Sequence, residues 1–173
     1  MSYLPKLKNI KAFVFDVDGV FTDGSVYLLP DKNMSRVMSV LDGYAVVQAI
    51  KQGYIIGIIT GGNDPMVQNR MEYLGINDYY AKSSHKISDY EDFKVKHGLQ
   101  DSDILMMGDD IPDIGIMKLA EICACPANAV PEVKAISNYI SPVYGGKGAV
   151  RDVIEQVMKA QGKWNLDEET KSI

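Results

Sequence analysis

The chain has 173 residues, enough for one domain with one core of ordinary size. Apolar residues make up 46% and charged residues 24%, the proportions of a globular protein in water. With 18 Lys and Arg against 23 Asp and Glu, the net charge of -5 argues against a general binder of nucleic acid or anionic membranes, while leaving a small anionic substrate open because a bound cation reverses the local field.

The opening MSYLPKLKNIK has no apolar signal core, and no apolar run nears the roughly 20 residues of a membrane span, so a cytoplasmic location is expected. The first strand is predicted at KAFVFDV, residues 11–17. Residues 24–39 then hold two short apolar runs around Pro30, Asp31, Lys32 and Asn33, which predicts a projecting β-hairpin. A lone hairpin is marginal in water, so Val26, Leu28, Val37 and Val40 are expected to pack on a second subunit or on the chain's own domain. A helix over 43–51 precedes a strand over 54–60. The pair Asp64 and Pro65, a cap followed by proline in the first turn, opens a helix running to Leu74. Helix 87–97 stops at Gly98; strands follow at 103–109 and 121–127, and an amphipathic helix at 149–160. Cys123 and Cys125 are read as small core residues of the last strand, on opposite faces and unpaired. Residues 1–163 form the domain, and 164–173 a polar tail whose large apolar handle, Trp164, docks on a neighbour or stays exposed.

This β–α alternation predicts an α/β fold with a doubly wound parallel sheet, which binds ligands beyond the carboxyl ends of its strands. Three predicted strands end in polar chemistry, at Asp16, Thr60 and Asp109. In FDVDGV, Asp16 caps a strand and Gly19 lets Asp18 return to the same pocket. Paired carboxylates repel unless a cation stands between them, and Mg²⁺ suits an all-oxygen set that shares a phosphate. A second acidic cluster, GDDIPD, places Asp109 to complete the metal site; Asp110 and Asp113 ligate the ion directly, hold metal-bound water or cap the helix from Ile111, with support rather than a direct bond favoured for Asp113. The Thr60 hydroxyl and the N–H groups of Gly61 and Gly62 are candidate phosphate donors. Lys86 opens a helix, where a cation opposes the helix dipole unless an anion compensates it.

Asp16-x-Asp18, Thr60, Lys86 and Gly108-Asp109-Asp110-x-x-Asp113, in that order, resemble the haloacid dehalogenase superfamily of phosphotransferases. The resemblance implies that Asp16 is the nucleophile and forms an aspartyl-phosphate. It implies that Asp18 serves as acid and then base, and that Thr60 and Lys86 hold the phosphoryl group. Mg²⁺ would be bound by the Asp16 side chain, the Asp18 backbone carbonyl and Asp109. Only about 40 residues separate Asp16 from Thr60, too few for a cap domain beside the hairpin. The chain therefore resembles the capless branch, homotetramers that act on phosphates of long-chain sugar acids. Further matches are DVDGVFTDG at 16–24, Asp42-Gly43-Tyr44, Arg70 and GGKGAVR at 145–151. The likeness implies a substrate pocket lined by Asp18, Ser39, Asp42, Gly43, Gly61, Arg70 and Lys86, with Lys147 and Arg151 either anchoring the tail or reaching the pocket from a neighbouring subunit. It departs at Leu41, Val47 and Gly62, uncharged here where relatives often carry basic residues. Two further readings compete: an inactive binding protein of this fold, and a receiver domain, which distributes its acids differently over its strands.

Overall fold

The computed structural model describes residues 3–30 and 34–164. After a 3-10 turn at Leu4–Asn9, the elements run β1 (Ala12–Phe15), β2 (Tyr27–Leu28), β3 (Met34–Ser35), α1 (Val40–Lys51), β4 (Ile55–Ile59), α2 (Pro65–Tyr73) and β5 (Asp78–Tyr80). They continue with α3 (Lys86–His97), β6 (Ile104–Met107), α4 (Ile114–Met117), β7 (Ile122–Cys125), α5 (Pro131–Ile136), β8 (Tyr139–Ile140) and α6 (Ala149–Ala160).

Six strands form one parallel sheet in the order β5-β4-β1-β6-β7-β8. The chain starts at the centre, moves outward through β4 and β5, then crosses back and moves outward through β6, β7 and β8. Strand order therefore reverses beside β1, and a crevice opens at the carboxyl ends there. The expected doubly wound α/β sheet is present, with no cap domain inserted among the described residues.

Alternate residues of each strand enter two apolar layers. Phe13, Phe15, Ile56, Ile58, Leu105 and Met107 pack with α1, α2 and α6. Ala12, Val14, Ile59, Ile104 and Met106 pack with α3 and α4. Burying each large side chain of this kind contributes about 1.5–3 kcal/mol. Cys123 and Cys125 both lie in the second layer as free thiols, which corrects the expected opposite faces. Residues two apart on a strand share a face, so the spacing places both inward on one side.

Local signals set the helix ends. The Ser39 hydroxyl accepts from Leu41 N, which starts α1 at Val40, earlier than the periodicity predicts. Asp64 caps α2 by accepting from Met66 N, with Pro65 following it. Gly98, at φ +64°, ends α3. The apolar stripe of α6 is buried as expected.

The hairpin pairs Tyr27 with Ser35 and Leu28 with Met34, and its turn at 31–33 lies outside the described residues. Val26, Leu28, Val37 and Val40 are exposed by 40%, 80%, 58% and 66%, so the chain's own domain does not cover these four apolar side chains. Trp164 packs edge-on against Tyr44 of its own chain, beneath Arg151, rather than standing exposed. The flat guanidinium and the Tyr44 ring give it an apolar and cationic seat. The remaining tail, 165–173, lies outside the described residues.

Candidate active site

The sheet gathers its acids at one end. Asp16 follows β1, and its N–H still donates to Met107 O at 3.2 Å while its side chain points beyond the strand. Asp16 Oδ1 accepts from Val17 N at 2.7 Å, and Oδ2 lies 3.0 Å from Lys86 Nζ. Lys86 Nζ also donates to Asp113 Oδ1 at 2.7 Å. The other Asp113 oxygen accepts from Asp109 N at 3.1 Å and Asp110 N at 3.4 Å. One oxygen each from Asp16, Asp109 and Asp113 lies within 4.8 Å of the others, close enough to share a divalent cation. Asp113 already has partners on both oxygens, which fits it to support the site rather than to bond an ion.

The turn after Asp16 is held tightly. Val20, Phe21 and Thr22 N–H groups all converge on Val17 O. Gly19 sits at φ +80°, and a Cβ there would fall 1.9 Å from Asp109 Oδ2, so no other residue fits between the two acidic loops. A distant loop braces the same turn. Gly145 N donates to Asn128 Oδ1 at 2.7 Å, Asn128 Nδ2 donates to Gly19 O at 3.4 Å, and Gly146 N donates to Val20 O at 2.9 Å.

Crowding of like charge shows in the acids themselves. Burial, then the Asp113 charge, pushes the Asp16 carboxyl up to about 6 against the pull of Lys86. Burial, with Asp113 and Asp16 beside it, pushes Asp109 up to about 7. Burial works to lower Lys86, yet the Asp16 and Asp113 charges hold it above the usual lysine range. These anions compensate the cation in the first turn of α3, as its placement requires. One ammonium among three carboxylates leaves an excess of negative charge that a divalent ion would relieve.

Asp18 faces elsewhere. Arg36 Nε meets Asp18 Oδ1 at 2.6 Å and Nη2 meets Oδ2 at 3.0 Å, while Nη1 reaches Asp64 Oδ2 at 3.1 Å. Sequence reasoning missed Arg36. Its signal is slight: it is the lone charge in the run from Met34 to Leu41, on the arm that leaves the hairpin. Its side chain is only 9% exposed although its neighbours face solvent. Arg36, Gly61, Gly62, Asp64 and Arg70 line a cavity of about 910 Å³ beside the acids.

Other expected residues fall into place unevenly. Buried Thr60 accepts from Gly62 N through Oγ1 at 3.2 Å, so that N–H is already used, while the hydroxyl hydrogen stays free to donate. Gly43 backs Arg70: a Cβ there would lie 2.8 Å from Nη2. Ser39 caps α1 through its hydroxyl. Asp42 departs from the expectation that it lines the pocket. It is buried under the N-terminus of α6 and accepts from Arg151 N at 2.8 Å. Burial pushes its carboxyl up to about 6, while backbone donors at Arg151, Gly148 and Val150 pull it down. Helix α6 thus claims this acid as its anchor on α1. Arg151 binds Glu155 at 2.5 Å and covers Tyr44, and Lys147 is exposed. Asp110 is exposed and accepts from Ile111 N at 2.8 Å, the capping role foreseen for it.

Residues 76–154 match the family model for haloacid dehalogenase-like hydrolases. The chain is 32% identical over 165 residues to the 3-deoxy-D-manno-octulosonate 8-phosphate phosphatase of Escherichia coli K12, covering 95% of this chain and 87% of that protein. Its fold is similar to the crystal structure of a phosphatase of the same name from Yersinia pestis, at a TM-score of 0.91 and 29% identity, over 92% of this chain and 86% of that one. It is equally similar to the Moraxella catarrhalis phosphatase in complex with magnesium, phosphate and KDO, at a TM-score of 0.90 and 32% identity, over 93% and 92% of the two chains. Among the described residues no helix is long and apolar enough to cross a membrane.

Proposed function

The chain belongs to the haloacid dehalogenase-like hydrolases, in their 3-deoxy-D-manno-octulosonate 8-phosphate (KDO-8-phosphate) phosphatase branch, and from that premise we propose that this phosphoric monoester hydrolase converts KDO-8-phosphate to KDO and phosphate with Mg²⁺. The reading is carried by the Asp16 carboxylate, held 3.0 Å from Lys86 and close enough to Asp109 to share one ion.

Asp16 attacks phosphorus: its oxygen forms the new P–O bond as the bond to the sugar oxygen breaks. A carboxylate is repelled by a phosphate dianion, so the cations around it decide the rate. Asp16, Asp109 and the Asp18 backbone carbonyl would hold Mg²⁺, which would supply the charge that one lysine cannot. Lys86 neutralises oxygens of the transferring group, and the free Thr60 hydroxyl hydrogen donates to another. Asp18 gives a proton to the departing sugar oxygen, a role worth about 10²–10⁴-fold. Arg70, which lines the cavity, suits the sugar carboxylate. The exposed apolar hairpin supports a homotetramer whose subunits cover one another's sites, the setting in which Lys147 and Arg151 would approach a neighbour's substrate. The role that follows is in lipopolysaccharide sugar synthesis in the cytoplasm.

The test compares kcat/KM on KDO-8-phosphate with that on KDN-9-phosphate and N-acylneuraminate 9-phosphate, with Mg²⁺ and with EDTA. The expected result is a preference for the eight-carbon substrate and no turnover in EDTA. A preference for a nine-carbon acid moves the chain to that substrate, and zero turnover of every ester makes it a binding protein of this fold.

A further inference from the structure

Arg36 carries no part of the chemistry above, yet it is the cation that Asp18 faces. Two fork nitrogens meet the two Asp18 oxygens, and the third nitrogen meets Asp64. Asp64 is itself fixed, since its other oxygen caps α2 through Met66 N at 2.9 Å. A chain of contacts thus runs from the start of α2 through Asp64 and Arg36 to the Asp18 carboxylate. Gly62 leaves the space beside it clear: a Cβ there would stand 3.9 Å from Asp18 Oδ2 and 4.0 Å from Arg36 Nη2. The positive charge at this corner comes from the hairpin arm, and the loop after β4 supplies its partner Asp64.

We propose that Arg36 is a positioning residue for Asp18 in the second half of the reaction, when water attacks the phosphorylated Asp16; the proposal rests on the roles of Asp16 and Asp18 given above. A carboxylate has about four lone-pair sites, and a fork that uses one on each oxygen leaves each oxygen able to accept. The held group is therefore arranged to take a proton. In that step the water oxygen bonds to phosphorus, its proton passes to Asp18, and the bond between phosphorus and the Asp16 oxygen breaks. Asp16 returns as a carboxylate and phosphate leaves. The Asp18 side chain is more than a third exposed, and among the described residues it is the fork that bonds its two oxygens. Losing the orientation of a catalytic group costs up to about 10²-fold.

The experiment is rapid-quench kinetics on KDO-8-phosphate with Mg²⁺, following sugar release and acid-stable phosphoenzyme in the wild-type protein, Arg36→Ala, Arg36→Lys and Asp64→Asn. In Arg36→Ala, hydrolysis of the phosphoenzyme is expected to slow about 10- to 100-fold, more than the first step, so that phosphoenzyme accumulates and the sugar burst approaches one per site. Arg36→Lys keeps the charge without the fork and recovers only part of the loss. Asp64→Asn retains a capping oxygen for α2, weakens the third contact and gives the same signature at smaller size. Equal slowing of both steps without accumulation overturns the proposal, as does full recovery in Arg36→Lys, which would reduce the role to charge. A wild-type protein that turns over without any phosphoenzyme removes the reading of Asp16 itself, and the proposal with it.

Discussion

The two acids of the Asp16-Val17-Asp18 run are held in opposite ways. Asp16 sits at the tip of a central strand, its side chain 13% exposed, with its neighbours dictated by the sheet. Asp18, two residues on, lies at the edge of the cleft and takes its place from a long side chain on a projecting arm. The first arrangement is fixed by the packing of β1 against β4 and β6, and any fold of this topology reproduces it. The second depends on a single guanidinium. The nucleophile is thus built into the scaffold, while its proton-transfer partner is tethered to a part of the molecule that can vary.

The sharpest way to break that contrast is Asp16→Asn. It is expected to lower kcat by at least about 10³-fold while the fold persists, the metal-free unfolding midpoint holding or rising because one of the crowded charges is gone. Turnover near the wild-type value would show that position alone does not make this carboxylate the nucleophile.

An intermediate effect concerns pH and metal. Burial and neighbouring carboxylates push Asp16 and Asp109 up to about 6 and about 7 in the folded chain, from an ordinary 3.8. Between about pH 4 and 7 the folded state therefore holds protons that the unfolded state has released. In that window these two groups make the metal-free protein less stable as pH rises. Mg²⁺ takes the place of those protons, so the rise in unfolding temperature on adding Mg²⁺ is expected to be larger at pH 7.5 than at pH 5. A shift of the same size at both values, measured by calorimetry, would separate metal binding from this acid cluster.

The smallest effect on the folded chain sharpens the other side of the comparison. Leu28 is 80% exposed at the hairpin tip, and Leu28→Asp is expected to change monomer stability by no more than about 0.5 kcal/mol. The same variant is expected to shift the sedimentation coefficient toward that of a smaller assembly. Unchanged sedimentation would leave the hairpin as an arm that serves only its own site.

Sequence reading recovered what repeats along a strand or helix. The four central strands, the hairpin and the long helices announce themselves through apolar runs, caps and glycine stops. Strands β5 and β8 were missed because they are edge strands of three and two residues, rich in Tyr and Asp and short of an apolar run. Helices α4 and α5 span four and six residues, too few to show a period. At the site, Asp16, Thr60, Lys86 and Asp109 were legible because each stands at the end of a patterned element. Asp42 was misplaced because adjacency to a pocket says nothing of a helix N-terminus that arrives from 109 residues away. Arg36 was hidden for the same reason in reverse: its partner lies 18 residues back, and only the bend of the arm brings them together.

The brace from Asn128 to Gly19 spans 109 residues of chain. A ribosome adds about 5–20 residues each second, so the turn that carries the nucleophile leaves the tunnel roughly 5–20 s before its far support exists. Early in synthesis the nascent protein holds two acids on a loose turn, with neither the brace nor the second acidic loop to organise them. The full set of contacts around the nucleophile's turn therefore becomes available only after the segment around Asn128 and Gly145 has been made.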